Sequence, residues 1–386
     1  MRALADDMAA RGVRRVHVLA WRDLDDVEAG GSEVHADEFM RRWAEAGLEI
    51  THRTSAAAGI PATASRHGYE VVRRGSRYSV FPRVALAELT RRMGRFDALV
   101  EIWNGVPWMS PLWCRKPRMT LLHHVHGPMW AETFPQPFAS FGRVMEARLA
   151  PPFYRRTQMV ALSDGTRDEI REVGIPEEQI SCVLPGVDSF FQPGQQKAPV
   201  PTVLAVGRLA AGKRFPALLP VLLAVRSAVP ELQAIIIGDG PDREALQSWI
   251  AQHNAASWLT LAGRVSPDEL LRHYQRAWLV TSASIAEGWG MTLTEAGACA
   301  TPAVVTDVNG HRNAVHHGVT GLLADLEDLG PAITSVLNDR ERRLRMGAAA
   351  LAFANTLTWD RTAHELLQIL HGQVVRRRPL SAPGLG

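Results

Sequence analysis

Cysteine is scarce in this chain: three residues among 386, Cys114, Cys182 and Cys299. They are far apart and odd in number, which fits neither a disulfide framework nor thiolate metal-ligand spacing. A reducing cytoplasm is the compartment such usage suits. No HExxH or CxxC pattern is present, so a zinc site has no motif to rest on. No apolar run reaches the length of a membrane span. Met1-Arg-Ala-Leu-Ala-Asp-Asp7 carries acids where a signal peptide needs an apolar stretch. A cytoplasmic protein is therefore expected, with at most peripheral contact at the inner membrane. The net charge is only +3, and no basic stripe with interleaved aromatics marks a nucleic-acid binder. Positive charge does gather at Arg73, Arg74, Arg77, Arg83, Arg91, Arg92 and Arg95. A solvated face is the plain reading; docking to an anionic membrane or substrate is the other.

What the sequence does have is alternation. In the second half, β-branched apolar runs recur at Thr202–Gly207, Ala234–Gly238, Leu259–Gly263, Trp278–Ser282 and Ala303–Asp307. Helical patterns separate them at Phe215–Val229, Arg243–Gln252, Pro267–Ala277 and Met291–Ala300. Such alternation predicts a parallel sheet with helices on both faces. Ser266-Pro-Asp-Glu269 reads as a capping box with proline at the first helical position. The first half begins alike, with a strand at Val16–Trp21, a helix at Ser32–Ala46 and a strand at Leu48–Arg53. Short buried strands follow at Ala98–Ile102, Met119–Leu122 and Met159–Leu162.

The Pro, Gly and Gln content of residues 190–201 marks a linker. The expected organisation is a Rossmann-like domain over 1–189, that linker, and a second Rossmann-like domain over 202–357. A helix over 358–375 could pack on either half, and a disordered tail is expected over 376–386. Two α/β halves around a linker predict a cleft, with ligands at the carboxyl ends of the strands.

Chemistry-bearing residues fall at those strand ends. Glu287 and Glu295 bracket Gly288-Trp289-Gly290-Met291-Thr292-Leu-Thr, where glycines let a backbone approach a ligand and a helix begins. A helix N-terminus favours phosphate or polarised hydroxyls, and two carboxylates beside it add hydroxyl acceptors. Arg208 and Lys213 lie just past the strand Thr202–Gly207, where an Arg fork and a Lys point charge suit a diphosphate. Gly30 and Gly31 precede the first long helix, where a turn with an N-cap is the plain reading and a phosphate cradle the other. His123, His124 and His126 follow a buried strand and suit acid/base work or hydrogen bonding. Asp23-Leu-Asp25 has the Asp-x-Asp form of metal-dependent sugar transferases, but it sits in an acidic loop and is read as a decoy. No metal and no cofactor are expected.

With these pieces in line, the chain resembles the retaining glycosyltransferases of family 4, which have the GT-B fold, over nearly its whole length. The resemblance rests on Gly30-Gly-Ser-Glu33, Val183-Leu-Pro-Gly-Val-Asp188, Gly207-Arg208 with Lys213, and Gly238-Asp-Gly-Pro241. Its most specific element is the E-x7-E segment from Glu287 to Glu295, followed by Gly321-Leu-Leu. It implies that Arg208 and Lys213 hold the donor diphosphate, that Glu295 binds the ribose hydroxyls, and that Glu287 contacts the transferred sugar. Backbone N–H groups of Gly288 to Met291 would lie nearby, Gly30 and Gly31 would face the phosphate, and the base would lie against Gly263-Arg264-Val265. The family also places a histidine near the sugar; strand register favours His123, the following glycine favours His126. The chain departs from the pattern at Ala300, where the family usually has glycine, with consequences expected for the helix end.

The reaction so implied is metal-independent transfer of a hexose from a UDP- or GDP-sugar, with retention. The leaving diphosphate would take the acceptor proton while the two cations stabilise its charge. The acceptor, a glycan, a glycolipid or a small aglycone, is expected near Trp103, Asn104, Trp108, Trp113 and Trp130, whose rings suit sugars but also suit core positions. A nucleotide-sugar epimerase of the same architecture and a non-catalytic nucleotide-sugar-binding module are the competing readings.

Overall fold

The computed structural model describes residues 1–378 apart from Arg91, Met93, Pro128 and Phe134, and leaves out the side chains of Glu132 and Thr133. Residues 379–386 of the expected tail, and Arg91 of the basic cluster, thus lie outside the described residues. The chain divides into two compact units: Met1–Gly186 with Trp359–Gly386, and Val187–Thr358.

The first unit is built on an eight-stranded sheet: β1 (Arg15–Leu19), β2 (Glu49–Thr54), β3 (Thr63–Arg66), β4 (Tyr69–Arg73), β5 (Ala98–Trp103), β6 (Arg118–Leu122), β7 (Gln158–Ala161) and β8 (Ile180–Cys182). Its order is β3-β4-β2-β1-β5-β6-β7-β8. Every neighbouring pair is parallel except β3 with β4. β5 and β6 are buried along their whole length. Central strands covered on both faces need continuous rather than alternating apolar runs, and Ala98-Leu-Val-Glu-Ile-Trp103 supplies one. The helix Trp359–Arg377 belongs to this unit and packs on the helix Gly31–Glu45. The Trp43 indole N–H donates to the Ala363 carbonyl at 2.8 Å, and Leu366, Leu367 and Leu370 are fully buried. Burying each such leucine stabilises the fold by roughly 1.5–3 kcal/mol, which anchors the end of the chain to this unit.

The second unit carries a six-stranded parallel sheet of β9 (Thr202–Val206), β10 (Gln233–Ile237), β11 (Leu259–Gly263), β12 (Leu279–Ser282), β13 (Ala303–Thr306) and β14 (Gly321–Ala324), in the order β11-β10-β9-β12-β13-β14. Residues 190–201 pack on this unit: the Gln275 amide donates to Gln192 O, the Trp278 indole to Ala198 O and the Ala198 N–H to Arg276 O. At the helix Pro267–Arg276 both halves of the capping box form, with Ser266 Oγ accepting from the Glu269 N–H at 3.3 Å and Glu269 Oε2 accepting from the Ser266 N–H at 2.9 Å.

Candidate active site

The strand order of the second unit reverses between β9 and β12. At such a switch point the loops leaving the carboxyl ends diverge and open a crevice, the usual ligand site of a doubly wound sheet. Here the loop after β9 brings Arg208 and Lys213, and the loop after β12 brings Glu287. The two loops are tied by the Ile285 N–H donating to Gly212 O at 3.1 Å.

The Lys213 ammonium pairs with the Glu287 carboxylate, and the Ser284 hydroxyl donates to the same oxygen, Glu287 Oε1, at 2.7 Å. Burial alone would raise the pKa of Glu287, but the Lys213 ammonium holds it at about 2. Glu287 is therefore a fixed anion. His311 lies on the helix Asn309–Ala314 after β13, and its Nδ1 donates to Thr306 O at 2.7 Å. A carbonyl can only accept, so in the neutral ring Nε2 presents a lone pair. Burial pushes the His311 pKa down and keeps it neutral.

Glycine makes this geometry possible at two places. A Cβ on Gly238 would stand 1.8 Å from Gly207 O, and one on Gly240 would stand 2.4 Å from Leu209 O. The backbone of the β10 loop thus supports the segment that carries Arg208, with the Leu209 N–H bonded to Asp239 O at 3.0 Å. On the other side, a Cβ on Gly310 would stand 2.4 Å from Glu287 O, so the helix Asn309–Ala314 holds the Glu287 loop from behind.

The helix Met291–Ala298 opens at Gly290 with no side-chain cap on its first N–H groups. Glu295, one turn in, accepts from the Tyr274 hydroxyl at 2.9 Å. Burial raises its pKa to about 7, with Tyr274 opposing and Asp188 adding to the shift. The two glutamates of the E-x7-E segment thus have opposite protonation behaviour. Met291, Thr292, Gly288 and Gly290 are half-buried. Trp289 is turned inward, 3% exposed, with its indole facing Thr294 Oγ1 at 3.4 Å. Of Trp289, only the backbone is placed to meet a ligand. Arg208 and Arg264 are exposed, Val265 is half-buried, and Gly263 is buried at the end of β11.

In the first unit, β1 and β5 flank the corresponding switch. Gly30 and Gly31 are exposed at the start of the helix Gly31–Glu45, but the Gly30 N–H is already bonded to Glu33 Oε2 at 2.7 Å. The Gly31 and Ser32 N–H groups are what remains for an anion at this end. His123 is buried at the end of β6, its ring edge-on to His35 at 5.4 Å, and burial lowers its pKa to about 3. Neither ring nitrogen of His35 or His123 has a hydrogen-bond partner within the protein. His126 stacks on His124 at 4.4 Å. The loop it sits in is held by buried Glu146, which accepts from the N–H groups of His126 and Gly127 and from the Trp130 indole at 2.9, 3.0 and 3.0 Å.

Of the two placements that these tryptophans suit, three of them take the core one. Trp103 is 2% exposed, packed on Tyr154 with its indole bonded to Gly105 O at 3.0 Å, and Trp108 and Trp130 are buried too. These rings fill the core, where their N–H groups find partners, and offer no face to a sugar. Asn104 remains half-exposed at the end of β5. Asp23 and Asp25 both pair with Arg73, which is itself buried, and Arg66 also pairs with Asp25. Arg73 therefore leaves the solvated basic cluster and acts as an internal counter-ion for the acidic loop.

His311, Ser284, Tyr274 and His35 were not singled out in the sequence. His311 had one usable signal, since it follows a legible strand by a few residues.

Comparison with known proteins bears on both units. The profile described as "Glycosyl transferases group 1" matches residues 188–353, and that of "Glycosyltransferase Family 4" matches residues 29–189. A D-inositol 3-phosphate glycosyltransferase of Nocardia farcinica is 32% identical over 240 residues, which is 55% of this chain and 53% of that relative. The chain thus spans about half the length of relatives of that kind. A GDP-mannose-dependent alpha-(1-6)-phosphatidylinositol monomannoside mannosyltransferase of Mycobacterium tuberculosis is 25% identical, over 90% of this chain and 96% of that one. Among solved structures, sucrose-phosphate synthase from Thermosynechococcus elongatus superimposes with a TM-score of 0.79 at 19% identity, covering 94% of this chain and 98% of that one. Anabaena HepE in complex with UDP and glucose gives 0.71 at 17% identity, covering 93% and 100%. Such structural likeness shows the fold, two Rossmann-like parallel-sheet domains of the GT-B type, and together with the two profiles it shows that the chain belongs to the group 1 glycosyltransferases of family 4.

Proposed function

We propose that this chain transfers a hexose from a UDP- or GDP-sugar to a hydroxyl acceptor with retention at the anomeric carbon and without a metal ion. The observation that carries this reading is the switch-point cluster of Arg208, Lys213, Glu287 and the open helix end at Met291. Two cations and a helix N-terminus stabilise a leaving diphosphate, so no divalent ion is needed for that charge. The Asp-x-Asp carboxylates of Asp23 and Asp25 are occupied by arginines, which supports the same reading. Glu287, a permanent anion beside Lys213, is suited to the hydroxyls of the sugar. Glu295 is suited to the ribose.

The donor site favours catalysis over simple storage, because the Lys213–Glu287 pair keeps charge in place for a transition state rather than a ground state. An epimerase of the same architecture would release nucleoside diphosphate without an acceptor product. The relatives' names, on inositol phosphate and on a phosphatidylinositol mannoside, make a polyol or glycolipid headgroup the acceptor class to try first. Cysteine usage supports a cytoplasmic setting.

The test is a panel of UDP-, GDP- and ADP-sugars screened by thermal shift, followed by transfer to inositol phosphates and lipid headgroups with the product anomer read by NMR. A product of inverted configuration overturns the retaining mechanism. Diphosphate release with no acceptor product in any combination overturns transfer.

A further inference from the structure

We infer that the first unit carries a docking face for an anionic lipid surface, formed by the helices Val80–Leu89 and Ser110–Trp113 and the helical run from Phe138 to Tyr154. One helical run of this unit is inverted. From Phe138 to Tyr154 the buried stripe is Ala139, Gly142, Glu146, Ala150 and Tyr154, at helical spacing. The solvent side carries Phe138 at 68% and Phe141 at 60% exposure, with Leu149 and Phe153 in line. A helix at a water-facing surface has the opposite pattern. Small inner residues let it pack tightly: a Cβ on Gly142 would stand 2.4 Å from the Trp130 ring.

The face extends beyond one helix. Ser110–Trp113 packs against both Val80–Leu89 and Pro151–Tyr154, and Leu112, Leu86, Leu89 and Phe153 on these three segments are all exposed. Single exposed apolar side chains are ordinary, but a contiguous set of leucines and phenylalanines marks an interaction surface.

Charge identifies the partner. Arg83, Arg143 and Arg148 are exposed on these segments, and Arg115, Arg155 and Arg156 are exposed within two residues of their ends. Both acids of these segments are buried, Glu88 against His17 and Glu146 under the His126 loop. A second copy of the face would set arginine against arginine with no acid between them. An anionic bilayer accepts both parts, the apolar side chains at the acyl boundary and the guanidinium groups among headgroup phosphates.

The experiment uses the full chain and sedimentation with phosphatidylcholine vesicles, with and without phosphatidylglycerol. Binding at least about tenfold tighter to the anionic vesicles is expected, weakening as salt rises. Phe138→Ser with Phe141→Ser, and separately Arg143→Glu with Arg148→Glu, should each reduce binding at least about fivefold. Circular dichroism checks that each variant folds, and the arginine pair, being wholly superficial, keeps the test available if the phenylalanine pair does not. Equal or absent binding to the two vesicle types overturns the inference. So does concentration-dependent dimerisation that the Phe138→Ser/Phe141→Ser variant loses, which would assign the face to a second copy.

Discussion

Lys213 and Glu287 form an ion pair across the switch point of the second sheet, joining the loop after β9 to the loop after β12. They are 74 residues apart in the chain and meet because β9 and β12 are sheet neighbours. The pair sets the charge of the site before any ligand arrives. A diphosphate that binds there must share Lys213 with Glu287, and that sharing decides what each substitution does.

Removing the cation should therefore cost more than a lost contact. Lys213→Ala removes the attraction for phosphate and also the partner that keeps buried Glu287 ionised, so two charges of the site are disturbed at once. Transfer is expected to fall at least about a hundredfold to a thousandfold, the usual consequence of losing one stabiliser of a developing oxyanion, some 2.7–4 kcal/mol. Arg208→Ala should fall in the same range with little change in melting temperature, since Arg208 is exposed. Steady-state rates with the identified donor check both, and near-normal turnover in both variants removes them from the diphosphate site.

Metal independence follows as a second expectation. Asp23 and Asp25 are committed to Arg73, and in the proposed site two cations would serve the diphosphate. Activity should survive dialysis against EDTA unchanged. Loss on chelation with recovery in manganese would mean that the acidic loop does more than hold Arg73.

The cations, the two glutamates and the helix start between them were legible because each follows an apolar run that can only be a buried strand, and strand ends are where sites form. Their pairing was not legible, because it depends on strand order rather than on spacing. Neither was His311, which enters the site only because Gly310 lets its helix touch the Glu287 backbone. The sequence left tryptophan direction open for a related reason. A ring in a loop such as Trp289 faces in or out according to tertiary packing, and neither helical nor strand periodicity constrains it. The β3–β4 hairpin was missed because Thr63-Ala-Ser-Arg66 is an edge strand with no buried residue and hence no alternation to detect.

Ala300 gives a stability prediction. The helix Met291–Ala298 ends with the Thr301 N–H bonded to Ala296 O at 3.0 Å and the Ala300 N–H bonded to Gly297 O at 2.9 Å. This is a Schellman closure with Ala300 at the left-handed position, φ +54°. An L-residue pays roughly 1–2 kcal/mol there and glycine does not, though glycine loses more entropy on folding. Ala300→Gly should raise stability by about 0.5–1 kcal/mol. Urea denaturation checks it, and a destabilised variant would show that the methyl group packs usefully.

Glu295 makes stability depend on pH. Its pKa rises from 4.5 in the unfolded chain to about 7 in the folded one. Between those values the folded protein holds a proton that the unfolded chain has released. Stability should therefore fall as pH rises through that window and level off above it. Glu295→Gln cannot ionise and should remove that slope. Melting temperatures at pH 5 and pH 8 test this: the drop between them should be smaller in the variant, and equal drops would place the titration elsewhere.

The two glutamates should also separate in ligand binding. Glu295 sits inside the helix, held by Tyr274, where an ionised carboxylate can accept from both ribose hydroxyls. Glu295→Ala should weaken binding of the nucleoside diphosphate alone by roughly 1.5–3 kcal/mol, the worth of a hydrogen bond to a charged group. Glu287 behaves differently because it competes for Lys213. Glu287→Gln keeps the shape and the Ser284 contact but releases the ammonium to the phosphates. Affinity for the free diphosphate should stay the same or rise, while transfer slows and discrimination among donor sugars blurs. Calorimetry with UDP and GDP measures the first effect, and turnover with a set of donor hexoses measures the second. Loss of diphosphate affinity in Glu287→Gln equal to that in Glu295→Ala would refute the division of labour, because it would mean that both carboxylates serve the nucleotide.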